Sequence, residues 1–170
     1  LSVATYAQHE LDLDQIIFIP CAQSPHKPEH NYTDDTHRLA MLELAIQGLS
    51  WAQISDYELK APTPSYSLHT IRHFQSEYPE AELYWILGSD QWDKLDTWYE
   101  HQRILKLVNF IIYPRVEKIE RAEKNDKSNY NSTPPFKVND LSLEAQPIYL
   151  DQASYLPISS TLIRKNLNLE

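Results

Sequence analysis

Four short apolar segments, separated by stretches with helical spacing, constrain the fold of this chain more than any other feature. They are QIIFIP (15–20), ELYWILG (82–88), LVNFIIYP (107–114) and PIYLD (147–151). Strands without a polar face that alternate with helices are typical of a parallel sheet covered by helices on both sides. The sequence therefore predicts an α/β fold, with an open parallel sheet and right-handed crossovers.

The stretches between these segments have the spacing of amphipathic helices. We predict helices over 1–11, 34–49 and 66–78. We also predict a strand over 52–59, where apolar and polar residues partly alternate. The second helix begins with two capping aspartates, Asp34 and Asp35. Its apolar residues recur at helical spacing and form one stripe, which consists of Leu39, Leu42, Ala45, Ile46 and Leu49.

Composition and charge narrow the functional classes. A chain of 170 residues, 42% hydrophobic and 23% charged, is typical of one soluble domain, which we assign to 1–170. The polar segment 115–135 is expected to be a mobile surface excursion rather than a domain boundary. The net charge of -9 would repel a nucleic-acid backbone. No apolar run is long enough to span a membrane, and the single cysteine, Cys21, favours a cytoplasmic location.

Three loops follow predicted strands, at the edge where open parallel sheets bind ligands. SPHKP contains His26 and Lys27, which would supply positive charge or donors for phosphates. SDQWDKLDTWY contains Asp90, which suits ribose hydroxyls, and Trp98 and Tyr99, which offer aromatic faces to a planar ring. These residue types describe a nucleotide site with a second aromatic ring nearby. The structural alternatives are a solvated Lys27, a core Trp98 and an Asp90 that caps a helix.

The third loop, ISSTLIR, has the pattern of a helix start. Ser159, Ser160 and Thr161 offer hydroxyls at its N-terminus, and Arg164 lies one turn inside, on the same face as Ser160. Unpaired N–H groups and the positive end of the helix dipole would complete a site for an anion such as phosphate. A serine cap followed by a solvated arginine is the structural alternative.

Metal binding and covalent catalysis have little support in the sequence. His69 and His73 are spaced like two zinc ligands on a helix, but no glutamate lies between them as a base and no third ligand is evident. The chain has no Gly-x-Ser-x-Gly motif, and no base is evident for Cys21. We therefore expect no protein-bound metal, and direct displacement at phosphorus rather than a covalent intermediate.

Four motifs, SPHKP, APTPSYSLHT, GSDQWDKLDTWYE and ISSTLIR, resemble in order and spacing those of the bacterial nicotinate-nucleotide adenylyltransferases. The resemblance extends from Leu1 to about Leu167. It implies a Rossmann-like α/β fold and the transfer of the adenylyl group of ATP to nicotinate mononucleotide in NAD biosynthesis, with Mg²⁺ as helper. The expected partners are thus ATP and nicotinate mononucleotide, without nucleic acid or a membrane.

The resemblance also implies a role for each candidate residue. Catalysis is assigned to His26, Lys27 and Arg164. ATP binding is assigned to the residues near the ribose and phosphates: Gly88, Asp90, Ser159, Ser160, Thr161 and Arg164. Nicotinate mononucleotide is assigned to Tyr66, Ser67, Trp98 and Tyr99, with Trp98 stacked on the pyridine ring and backbone N–H groups receiving the carboxylate. No general base is required, because the attacking phosphate is already ionised.

Some features depart from the family pattern. The family's Gly-x-Phe-Asp-Pro-x-His-x-Gly-His motif would end just before Leu1, and its C-terminal helical tail would follow Glu170. Ser67 and His69 replace the more usual threonine and aspartate. We therefore expect a fragment of an active enzyme in which the first strand is missing, with low stability or homo-oligomerisation through an exposed strand edge.

Two other functions stay open at this point. A related nucleotidylyltransferase would use nicotinamide mononucleotide or another phosphate acceptor, although the backbone-lined PSYS turn favours a carboxylate. A non-catalytic nucleotide-binding module would bind ligands without turning them over.

Overall fold

The order of helices and strands agrees with the predicted α/β pattern. A computed structural model describes residues 1–27, 32–114 and 147–150. The helices are α1 (Ser2–Leu11), α2 (Asp35–Ile46), α3 (Tyr57–Lys60), α4 (Ser67–Glu77), α5 (Ser89–Trp92) and α6 (His101–Ile104), with a 3₁₀ turn at Leu95–Thr97. The strands are β1 (Ile16–Phe18), β2 (Ala52–Ile54), β3 (Tyr84–Gly88), β4 (Asn109–Tyr113) and β5 (Ile148–Tyr149). None of the helices in the described ranges has the length and hydrophobicity of a membrane span.

All of the described strand pairs are parallel, which confirms the α/β prediction. β1 pairs with β2 and places Ile16 opposite Ala52. β4 lies between β3 and β5, with Ile112 opposite both Leu87 and Tyr149. In the described part of the chain these strands form two sheets, ordered β1–β2 and β3–β4–β5, rather than one continuous sheet.

Strand β4 is apolar along its middle because both of its faces are covered. Phe110 and Ile112 belong to the larger core cluster, where helix α4 contributes Leu68. Ile111 faces the opposite way and packs with Ala7 of α1. Successive strand residues point to opposite faces of a sheet, so a strand buried on both sides needs an apolar residue at each position.

Helix α2 begins as predicted but is less buried than its apolar stripe suggests. Asp34 is the N-cap, and its carboxylate accepts the Thr36 N–H at 2.9 Å. Asp35 instead lies inside the first turn and pairs with Arg38 at 2.9 Å. Of the predicted stripe, Ala45 is exposed and the other members are half-buried. The reason is that α2 packs mainly against β2, a strand of only three residues.

The strand prediction for 52–59 is wrong beyond Ile54. There the chain turns into the short helix α3. Helix α3 carries Glu58 into the interior, where the Thr70 hydroxyl of α4 donates a 2.6 Å hydrogen bond to its carboxylate. Polar and apolar residues alternate over 52–59, which is typical of a half-buried strand. The pattern misleads here because Glu58 is polar but buried, so polarity does not indicate exposure at this position.

Candidate active site

A cavity of about 1020 Å³ is bordered by β1 of one sheet and by β3 and the end of β4 of the other. Ile17 and Phe18 of β1 and Trp85 and Ile86 of β3 line it. The loops after these strands and the turn before α4 add polar and aromatic groups from His26, Tyr66, Ser67, Gln91, Trp98 and Tyr99. The volume is at the upper end of that of small-molecule sites. The cavity runs along β1 and β3, because segments 11–15 and 80–83 before them line it, as do the loops after them, where open parallel sheets bind ligands.

The loop after β1 brings His26 to this cavity. The exposed His26 side chain lines the cavity, and the His26 backbone N–H donates to the Ser24 hydroxyl at 3.3 Å. The Lys27 N–H donates to the Ser24 carbonyl at 3.0 Å, and the Lys27 side chain is exposed without lining the cavity. The Tyr32 hydroxyl accepts the Ser24 N–H at 3.2 Å. These contacts form a turn that leaves both side chains accessible to an anion.

Three aromatic rings meet at the turn before α4. The Tyr66 and Tyr99 rings lie 4.7 Å apart, and the His69 ring stands edge-on to them at 5.8 and 6.1 Å. Tyr99 is 47% exposed, and its pKa is raised by a hydrogen bond with Glu100 and by the charge of that residue. Ser67 begins α4, whose first two N–H groups, those of Ser67 and Leu68, have no carbonyl acceptor within the helix, whereas the His69 N–H donates to the Tyr66 carbonyl at 2.9 Å. The rings therefore surround a helix end that favours an anion.

Trp98 contributes to both the core and the cavity. Its half-buried ring packs against the larger core cluster and also lines the cavity. Its Nε1 is buried, and no acceptor in the described ranges lies within hydrogen-bonding distance. Trp98 thus packs against the core and also faces the cavity, and its stacking on a ligand stays a prediction.

Gly88 and Asp90 do not line the cavity, whereas Gln91, the residue after Asp90, does. Gly88 ends β3 and is buried, whereas Asp90 is half-buried in α5. The Asp90 carboxylate accepts a hydrogen bond from Gln91 Nε2 at 3.2 Å, and Gln91 lines the cavity. Asp90 lies inside the helix, and Gly88 is the N-cap, so the capping interpretation of Asp90 is wrong.

The two histidines of α4 do not form a metal pair. The His73 ring stacks on Tyr57 with centroids 3.9 Å apart, and its Nε2 lies 3.2 Å from Glu77. His69 belongs to the aromatic group described above. Among residues 1–27, 32–114 and 147–150, no group of three or more His, Cys, Asp and Glu side chains could hold a metal ion.

The candidates near the C-terminus cannot be placed in this geometry. Ser159, Ser160, Thr161 and Arg164 lie outside the described residues, as does the excursion over 115–135. Their assignments stay predictions of the sequence.

A buried polar cluster beside the cavity was not predicted. Glu58 is 7% exposed and Thr70 is 1% exposed, with the 2.6 Å hydrogen bond between them. Burial raises the pKa of the Cys21 thiol, a hydrogen bond with Ser65 opposes the rise, and the charge and hydrogen bond of Glu58 add to it. Cys21, Glu58 and Ser65 all line the cavity. No sequence pattern marked Glu58, because a carboxylate in an alternating stretch is expected at the surface.

Comparison with known proteins gives consistent relatives over nearly the whole chain. The cytidylyltransferase-like family model matches residues 1–166. A probable nicotinate-nucleotide adenylyltransferase of Methylacidiphilum infernorum is 34% identical over 161 residues, which is 95% of this chain and 69% of the relative. One of Bacteroides thetaiotaomicron is 34% identical over 168 residues, 99% of this chain and 74% of the relative.

Solved structures share the fold. The nicotinic acid mononucleotide adenylyltransferase of Plasmodium falciparum in complex with NaAD aligns with a TM-score of 0.61 at 18% identity, over 92% of this chain and 75% of that one. The same enzyme in complex with APC aligns with a TM-score of 0.62 at 18% identity, over 96% of this chain and 75% of that one. At this identity the likeness concerns the fold alone.

Proposed function

Because this chain belongs to the cytidylyltransferase-like family and, within it, to the nicotinate-nucleotide adenylyltransferases, we propose that it joins the adenylyl group of ATP to nicotinate mononucleotide in NAD biosynthesis. The products are nicotinate adenine dinucleotide and pyrophosphate. The observation that carries the proposal is the single cavity bordered by His26 on one loop and by Tyr66, Trp98 and Tyr99 on others. A donor for phosphates and rings for stacking thus face the same space, as a reaction between two nucleotides requires.

The reaction is a direct displacement at phosphorus. A phosphate oxygen of the mononucleotide attacks the α-phosphorus of ATP, and the bond from that phosphorus to the oxygen bridging to the β-phosphate breaks. The electron pair leaves with pyrophosphate. His26 and Lys27, in the turn built on Ser24, neutralise the charge that develops on the phosphates and align them.

ATP binds as its Mg²⁺ complex in this proposal. The described residues offer no carboxylate cluster suited to a protein-bound ion, so the phosphates of ATP would be its main ligands. When bound there, the ion neutralises phosphate charge and leaves positioning to the protein.

The pyridine end of the substrate belongs near α4. Trp98 offers an aromatic face, and its buried N–H has no acceptor among the described residues. The backbone at Tyr66 and Ser67 opens the helix, so its first N–H groups and the positive end of its dipole favour a carboxylate. A neutral carboxamide would gain less from this position, which favours nicotinate over nicotinamide mononucleotide.

The remaining assignments of the ATP site are part of the same proposal. Gly88 and Asp90, where β3 ends and α5 begins, contact the ribose beside the cavity, and Gln91 of α5 lines the cavity itself. The hydroxyls of Ser159, Ser160 and Thr161, together with Arg164, bind the phosphates. We also propose a cytoplasmic location, in keeping with the single cysteine.

The proposal is tested by incubating the protein with ATP, MgCl₂ and nicotinate mononucleotide and separating the products by chromatography. Nicotinate adenine dinucleotide and pyrophosphate are expected in equal amounts. A parallel reaction with nicotinamide mononucleotide measures the preference for the acid. Faster turnover of the amide would identify the related nucleotidylyltransferase activity, and saturable binding of ATP without product would identify a binding module.

A further inference from the structure

We propose that the buried carboxylate of Glu58 is a positioning residue that holds the loop carrying His26 and the turn carrying Tyr66 at a fixed separation across the cavity. The inference rests on the proposed function, because it assigns these two segments to the two substrates. It concerns a group that takes no part in the displacement described above.

Glu58 is placed where a carboxylate is costly to keep. Its side chain is almost fully buried, and its partner Thr70 is more buried still. A charge removed from water destabilises the fold unless hydrogen bonds compensate for the lost hydration. The 2.6 Å hydrogen bond from the Thr70 hydroxyl, which joins α3 to α4, supplies part of that compensation.

A second neighbour of the carboxylate is Cys21, in the loop after β1, which lines the cavity together with Glu58. Burial raises the pKa of the Cys21 thiol, hydrogen bonding with Ser65 lowers it, and the charge of Glu58 raises it further. A protonated thiol is a donor, so it suits a position beside a carboxylate. Glu58 is thus hydrogen-bonded to α4 through Thr70 and shares the cavity wall with the loop after β1.

Backbone contacts extend this cluster to both loops. The Ser65 N–H donates to the Gln23 carbonyl at 2.8 Å, and the Gln23 N–H donates to the Ser65 hydroxyl at 3.4 Å. Arg38 Nη2 donates to the Cys21 carbonyl at 2.6 Å. His26 follows Gln23 in one loop and Tyr66 follows Ser65 in the other. The positions of the two substrate-facing segments are therefore set by the same polar cluster.

The expected consequence is a loss of alignment rather than of chemistry. Misplacing reacting groups by about 1 Å can lower a rate by about 100-fold. Removing the Glu58 carboxylate would loosen the segments that bind and align the mononucleotide, so kcat/KM for the mononucleotide should fall and its KM should rise. A residue important only for folding would lower stability and leave the KM of the folded fraction unchanged.

The experiment compares four variants, two at Glu58 and two at Thr70, with a control variant at Gln75, which lies on α4 together with Thr70. Glu58→Leu and Thr70→Val remove the hydrogen bond, whereas Glu58→Gln and Thr70→Ser keep an acceptor or a hydroxyl. Gln75→Leu is the control, because Gln75 Nε2 donates to the Leu107 carbonyl at 3.1 Å and does not line the cavity. We expect the first two to raise the KM of the mononucleotide about tenfold or more, and the control to lower the Tm alone.

Alkylation of Cys21 by iodoacetamide gives a readout independent of activity. Both Glu58→Leu and Glu58→Gln remove the charge of Glu58, which raises the pKa of the thiol, so the midpoint of the alkylation rate against pH falls in both variants. Local unfolding would instead increase the rate at every pH without moving the midpoint. Glu58→Gln and Thr70→Val give the answer if Glu58→Leu does not fold.

The outcomes separate the two proposals. If the unmodified protein makes no dinucleotide, the proposed function fails, and with it the role of Glu58 in that reaction. If the unmodified protein is active and the folded Glu58→Leu and Thr70→Val variants keep its KM, only the positioning role is overturned. A raised KM with a shifted alkylation midpoint, absent from the Gln75 control, supports it.

Discussion

Replacement of Trp98 by alanine tests the pyridine end of the site most directly. Its ring lines the cavity, so the change removes a stacking surface from the mononucleotide. Stacking of a base on an aromatic side chain contributes about 1–3 kcal/mol. At about 1.4 kcal/mol per tenfold change, the KM of nicotinate mononucleotide should rise roughly 5- to 150-fold, with a smaller change for ATP. Trp98→Phe keeps a ring and should retain part of the affinity.

Trp92 provides the matched control for this change. It is 2% exposed, lies in the core against Phe110, and also has a buried Nε1 without an acceptor in the described ranges. Trp92→Phe should therefore lower the free energy of unfolding by about 1–3 kcal/mol and leave both KM values unchanged. Steady-state kinetics and urea unfolding of the variants measure the two effects. The reasoning is refuted if Trp98→Ala keeps the KM of the mononucleotide, or if Trp92→Phe raises it equally.

Three further changes test the fold and the site. Ile111→Ala and Ile112→Ala, on opposite faces of β4, should each lower the free energy of unfolding by about 2–5 kcal/mol in urea, and a negligible effect at either would contradict burial on both faces. Lys27→Ala should lower kcat/KM for ATP about 100-fold, and Lys27→Arg should lower it less because it keeps the positive charge. Unchanged kinetics in Lys27→Ala would contradict the assignment of Lys27 to the ATP site. The raised pKa of Cys21 makes the folded state favour the protonated thiol, so this stabilisation is complete below pH 9.0 and is lost as the pH rises through the folded-state value. Cys21→Ser should remove that alkaline loss of stability, and an identical pH dependence in both proteins would argue against it.

The strands of the larger sheet could be predicted because they are buried on both faces, so their consecutive residues are apolar. Phe110, Ile111 and Ile112 need apolar side chains on both faces, and this produces the uninterrupted apolar segment seen in the sequence. The Asp34 cap was equally visible, because a helix start depends on residues within one turn. The extent of burial of α2 was not visible, since it depends on the size of the sheet beneath it.

The candidate site was predicted in its residue types more than in its geometry. The rule for strand ends located His26, Trp98 and Tyr99, which the structure places around one cavity. The same rule included Asp90, which does not line this cavity and whose carboxylate accepts a hydrogen bond from Gln91. Its assignment to the ribose stays a prediction. The edge-on packing of His69 against two tyrosines had no counterpart in the sequence pattern, because edge-on ring contacts leave no periodic trace.

The long helices, the main strands and the order of the motifs could be predicted from local sequence patterns, since these depend on neighbours along the chain, whereas the short helices α3, α5 and α6 could not. The cavity between β1 and β3 and the burial of Glu58 beside it depend instead on how distant segments pack. The Glu58 and Thr70 side chains are 12 positions apart, and their contact exists only because α3 and α4 pack together. Hydrophobic periodicity indicates which face of an element is apolar, but not which polar groups the packing of two elements will enclose.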